Sequence, residues 1–106
     1  MTELTDWKRK VEMALDSCVK AAHLITYQEL AQTADIPAPH RIHKLTLFLE
    51  ELIEADITAH RPIRAACVIS KIRGLPAPGF FHLLERFDFD CENNKATHQK
   101  LLAELF

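Results

Sequence analysis

Residues 25–49, Ile-Thr-Tyr-Gln-Glu-Leu-Ala-Gln-Thr-Ala-Asp-Ile-Pro-Ala-Pro-His-Arg-Ile-His-Lys-Leu-Thr-Leu-Phe-Leu, constrain the fold more than any other stretch of this chain. Thr26 and Glu29 stand three apart, the spacing at which a hydroxyl accepts from one backbone amide while a carboxylate reaches back to another. Ile25 before this cap and Leu30 inside it form a hydrophobic staple, and Leu30, Ala31 and Ala34 face a core. A helix over 26–34 is therefore expected, ending near Ala34 because Pro37 disfavours helical geometry at Ile36. Pro37 and Pro39 lack amide hydrogens and suit the turn and the first helical turn that follow. The longest helix then spans about Pro39 to Thr58. Ile42, Leu45, Leu49, Leu52 and Ile53 form its buried face, with Phe48 and Ile57 at the margins. His40, Arg41, His43, Lys44 and Leu47 fall largely outside that stripe. Two helices joined by a proline turn, the second with a basic start, have the organisation of a helix-turn-helix over about 26–58.

The flanking segments complete one domain. Residues 5–22 read as a helix capped by Thr5, with Trp7, Val11, Ala14, Leu15, Cys18 and Ala22 on one apolar stripe. Residues 63–70, Ile-Arg-Ala-Ala-Cys-Val-Ile-Ser, read as a strand with Ile63, Ala65, Cys67 and Ile69 on one face. Both glycines and two of the five prolines lie in Arg73-Gly74-Leu75-Pro76-Ala77-Pro78-Gly79, which marks a loop. Helical spacing returns over about 80–87 and 95–105, separated by the polar stretch Asp88 to Asn94. At 106 residues the chain is long enough for one real core and marginal for two. The expected class is mainly α with a small β element: a winged-helix-like single domain over 1–106, with a strand and wing-like loop about 63–79 and extra C-terminal helices. A second wing strand has only Lys71–Ile72 and Phe80–Phe81 as candidates.

Composition excludes several functions. The longest apolar run, Ala65 to Ile69, is far short of the ~20 residues of a membrane span. The N-terminus lacks a signal-peptide pattern, and three cysteines without a Cys-x-x-Cys pair argue against a disulfide framework or a structural zinc site; a cytoplasmic location is expected. The net charge of −2 argues mildly against nucleic acid, but the charges are segregated. Residues 37–49 carry Arg41 and Lys44 without an acid, and residues 61–73 carry Arg61, Arg64, Lys71 and Arg73 without an acid. Between them Glu50, Glu51, Glu54 and Asp56 make the distal half of the long helix acidic, so only its beginning can enter a groove. These basic stretches coincide with the two surfaces a winged helix presents to DNA. The four cations of 61–73 equally suit a solvated edge strand. His40 and His43, three apart on a helix, could place two ligands on one metal, but no third ligand is near and exposed histidines explain them as well. Asp88, Asp90, Cys91 and Glu92 have no calcium-loop pattern and read as a solvated linker. No metal or other cofactor is expected.

Ile25-Thr26-Tyr27-Gln28-Glu29-Leu30-Ala31 resembles the Thr/Ser-Tyr-x-x-Leu-Ala stretch that opens the helix-turn-helix of O6-alkylguanine-DNA alkyltransferases and alkyltransferase-like proteins. Arg41 follows Tyr27 at the spacing of that family's recognition-helix arginine. The resemblance covers about residues 22–45 and implies minor-groove binding. Tyr27 would crowd a target phosphate, Arg41 would insert where a flipped base leaves the stack, and Lys44 would contact the backbone. The family's nucleophile stretch, Pro-Cys-His-Arg-Val, has no counterpart. Ala66 precedes Cys67, Val68 and Ile69 follow it, and no neighbouring base in sequence favours a thiolate. Residues 62–81 resemble a stretch of small uncharacterised bacterial proteins.

The expectation is a non-enzymatic DNA-binding protein, either a lesion or minor-groove binder or a small regulator. Its partner would be double-stranded DNA, met by Tyr27, His40, Arg41, His43, Lys44, Arg64, Lys71 and Arg73. The alternative is a protein–protein interaction module or adaptor subunit on the same scaffold, docking a protein partner through Leu47, Leu75 and Phe81.

Overall fold

The computed structural model describes residues 3–106, with side chains from residue 6 onward. Its elements run α1 (Glu3–Ala21), β1 (Ile25–Thr26), α2 (Tyr27–Thr33), α3 (Arg41–Thr58), a 3-10 turn (Arg64–Cys67), β2 (Val68–Ile69), α4 (Pro78–Arg86) and α5 (Asn94–Leu105). Helices hold 65% of the residues, which makes the chain mainly α with a small β element. The radius of gyration of 13.2 Å is that of a single compact body of this length, about 13 Å. α1 already includes Glu3, so Thr5 lies within the helix and not at its cap.

The α2 boundary forms as the capping pattern predicts. Thr26 Oγ1 accepts from Glu29 N at 3.1 Å, and Thr26 N donates to Glu29 Oε1 at 3.1 Å. Ile25 and Thr26 are also β1, so one short segment both caps α2 and pairs with β2. The pairing is parallel, Ile25 with Val68 and Thr26 with Ile69. β2 thus returns to the start of α2; Lys71–Ile72 lies in a turn and Phe80–Phe81 lies in α4.

The strand expected over 63–70 shrinks to Val68–Ile69. Arg64–Cys67 wind into a 3-10 turn, and Ala65, Ala66, Cys67 and Val68 are all buried, so no alternation survives. The cause is Asp56, an α3 residue with 0% exposure that the sequence pattern places on an acidic surface. Its Oδ2 accepts from the Arg64 amide and from Arg64 Nε, each at 3.1 Å, and its Oδ1 accepts from Arg64 Nη2 at 3.1 Å. Arg61 Nη2 reaches the same Oδ1 at 3.1 Å, and Arg64 Nη1 reaches Glu12 of α1 at 3.3 Å. A carboxylate removed from water demands such partners, and it fixes the backbone that supplies them. On the far side, His98 of α5 contacts the Ala66 carbonyl through Nε2 at 2.7 Å, which requires that nitrogen to carry the proton.

The core around this turn includes Val11 and Leu15 of α1, Leu45 and Ile53 of α3, and continues to Leu30 of α2 and Leu84 of α4, all fully buried. Trp7 and Phe48 meet edge to face at 5.7 Å, and Lys8 lies over both rings. Phe81 is buried beside Phe80, and Leu75 is half-buried, so neither is a free docking residue.

Four helices end without glycine. Ala22, Asp35, His60 and Asp88 adopt positive φ, and the following amides of His23, Ile36, Arg61 and Phe89 each bond a carbonyl five residues back. These are Schellman endings, which glycine usually serves because a Cβ at positive φ costs about 1–2 kcal/mol. Ala22→Gly, at an exposed position, is expected to raise unfolding stability by about 1 kcal/mol in a urea titration. Asp56→Ala is expected to lower it by roughly 3 kcal/mol, because the half-buried Arg64 guanidinium and the Arg64 amide would both lose the buried carboxylate that accepts from them.

A candidate nucleic-acid interface

A groove opens where three segments converge. Thr26, Tyr27 and Gln28 contribute from the start of α2, Ile42 from the first turn of α3, and Ser70, Lys71 and Ile72 from the turn after β2. The β1–β2 pairing builds this geometry, since it sets the residues before α2 beside those that lead into the turn. The turn is closed by two backbone bonds, Ser70 N to Leu75 O and Gly74 N to Ser70 O, both 2.8 Å. Gly74 supplies the φ of +70° that the tight return needs. Pro76 is buried immediately after, so both ends of the turn are anchored.

Sequence-predicted contact residues separate into two groups. Lys71 lines the groove, Arg73 stands exposed in the same turn, and Arg41 directly precedes the groove residue Ile42. His40 and His43 are exposed at the start of α3, where His40 is the N-cap residue in a left-handed conformation. The others are occupied. Arg64 is bound to Asp56 and Glu12, facing the core instead of a phosphate. Lys44 donates through Nζ to the Pro37 carbonyl at 2.9 Å, tying down the connection between α2 and α3. Tyr27 accepts from the Ala77 amide at 2.8 Å through its hydroxyl, whose pKa is pushed up by burial. Tyr27 therefore bounds the groove with its ring while its polar atom holds the start of α4.

Negative charge near the groove is limited and placed. The Glu29 carboxyl is held below its ordinary range by the Thr26 amide and then the Thr26 hydroxyl, with Lys71 adding to the effect. It stays ionised and offsets part of the Lys71 charge. Glu50 is directed elsewhere: a Cβ on Gly79 would lie 3.9 Å from its Oε2, so its carboxylate stands beside the first turn of α4, where amide dipoles favour an anion. His43, Leu47, Glu51 and Glu54 form the exposed, largely acidic outer stripe of α3.

Behind Tyr27 lies an apolar cavity of about 70 Å³, bounded by Leu49, Ile53, Ala65 and Phe80 among others. It is about half the ~150 Å³ that accommodates benzene, so it does not admit a purine in this state. Cys67, two residues beyond Ala65, is fully buried, and its Sγ donates to the Arg64 carbonyl at 3.1 Å. Burial, and then the neighbouring Cys18, push its thiol up to about 12. Among the described residues, no group of three or more His, Cys, Asp or Glu side chains could hold a metal ion. No described helix is long and apolar enough to cross a membrane.

Five groove residues, Thr26, Gln28, Ile42, Ser70 and Ile72, lie outside the contact set that the sequence predicts, and two of them are exposed apolar side chains. The apolar stripe of α3 places Ile42 in the core, but it is 41% exposed, because it precedes the point where α3 is covered. Ile72 reads in sequence only as a strand candidate; its signal is an apolar β-branched residue between two cations within a glycine-bearing turn.

A thiol reagent at pH 8 is expected to leave Cys67 unmodified in the folded protein and to label it only with denaturant. The thiolate of a group with a raised pKa is absent until the pH approaches that value, so labelling should rise only in strong alkali. Neither a family model, nor a curated protein, nor a solved structure matches this chain.

Proposed function

We propose that this protein is a small, non-enzymatic, double-stranded DNA-binding module of winged-helix-like type. It meets the duplex with the start of α2, the first turn of α3 and the turn at 70–75. The observation that carries this reading is the groove, which brings Lys71 and the start of α3 onto one face. Arg41, Lys71 and Arg73 make no ion pair among the described residues; Lys71 lines the groove, Arg41 and Arg73 are exposed next in sequence to its residues Ile42 and Ile72, and such cations favour phosphate oxygens. The resemblance of residues 25–31 to the alkyltransferase helix-turn-helix agrees with a minor-groove approach. The small cavity and the protonated, buried Cys67 favour binding without base modification.

A second reading is a protein-interaction module, favoured by Leu47, which is 49% exposed among Glu51 and Glu54 on the outer stripe of α3. A patch of this kind suits a basic, apolar partner surface better than a phosphate backbone.

A duplex-binding titration over salt separates the two. The slope of log K against log salt should fall in magnitude by about 2–3 when Arg41, Lys71 and Arg73 are all replaced by Ala, since each phosphate that a side chain neutralises adds about 0.9 to it. Unchanged binding by the triple variant would refute this interface. No duplex binding by the wild-type protein at low salt would leave the interaction module as the better reading.

A further inference from the structure

The apex of the 70–75 turn holds the most exposed large apolar residue among those described. Ile72 is 96% exposed, whereas the next, Met13, is 61%. It sits between Lys71 and Arg73 on a turn closed by two backbone hydrogen bonds and anchored by buried Pro76. We propose that Ile72 is a minor-groove wedge that inserts between base pairs and partly unstacks one step, with Lys71 and Arg73 gripping the phosphates on either side. This inference rests on the duplex-binding reading above and names the groove and the mode of contact.

Three observations lead to it. An isoleucine has no donor or acceptor, so it cannot read base edges by hydrogen bonding; what it can offer DNA is apolar contact. The outer face of α3 is acidic through Glu51 and Glu54, which opposes deep insertion of that helix into a major groove. The projecting tip is left as the probe, and a single tight turn suits the minor groove, about 6 Å wide, which is too narrow for a helix. Apolar wedges of this size, Ile included, unstack base steps from the minor groove, and the cost is lowest at flexible pyrimidine–purine steps. A rigid pedestal matters for such a wedge, because a mobile loop would fold its apolar tip back onto the protein. The groove beside it, with Ile42 and the Tyr27 ring, gives the displaced minor-groove edge further apolar surface.

The test uses the full chain and a short duplex with 2-aminopurine at a central TpA step. Wild-type protein is expected to raise the 2-aminopurine fluorescence on binding and to bring the duplex ends closer in a resonance-energy-transfer measurement. Ile72→Ala should abolish most of both signals and weaken binding roughly tenfold, while Ile72→Leu keeps them. The side chain touches little of the protein, and matched thermal unfolding of the variants verifies that the fold is kept. Normal salt-dependent binding without a fluorescence rise, or an equal rise with Ile72→Ala, overturns the wedge and leaves the interface standing. Absence of any duplex binding overturns both.

Discussion

The Asp56 carboxylate, taken out of water in the last turn of α3, is the interaction on which the rest of the structure depends. A buried carboxylate is tolerable only when its oxygens are filled, and here Arg64 fills them with its backbone amide and its guanidinium together. That double attachment forces Arg64–Cys67 into a 3-10 turn and leaves room for only two strand residues after it. α1 joins through Glu12 and α5 through His98, so four segments converge on a few polar contacts surrounded by leucines and isoleucines. Among the described residues no buried side-chain nitrogen or oxygen is left without a partner. A half-satisfied network would cost more than an apolar one.

The same carboxylate decides which charges remain for function. Residues 61–73 carry four cations, and Asp56 engages Arg61 and Arg64. Lys71 and Arg73 lie beyond its reach, past β2. Because β2 pairs with the segment that caps α2, the turn that carries them lies beside the start of α2, where Lys71 lines the groove, rather than on the Asp56 side. One parallel pair of two residues each thereby links the fold to the proposed interface.

Tyr27 shows how closely scaffold and surface share residues. Its ring borders the open groove on one side and the small apolar cavity on the other, while its hydroxyl receives the amide that precedes α4. The start of α2 is thereby tied directly to the start of α4.

Local chemistry is legible where it is decided within a few residues. The Thr26–Glu29 box, the end of α2 before Pro37, the span of α3 and both C-terminal helices follow from caps, prolines and apolar spacing, and each lies within two residues or so of its predicted bounds. The exposed cations Arg41, Lys71 and Arg73 are likewise visible as acid-free stretches. The long-range pairings are not legible. In sequence Asp56 looks like one more acid on an acidic helix flank, and Arg64 like one more exposed cation. Their roles depend on residues eight and fifty-two positions apart meeting in space. The alternation over 63–70 points to a strand, but a buried ion pair outweighs a weak local preference for extended backbone. Sequence by itself determined the helices, the Thr26 cap and the sign of each stretch of charge. The tertiary structure alone decided which charges are neutralised inside and which stay free, because desolvation and pairing are properties of a place in the fold and not of a position in the chain.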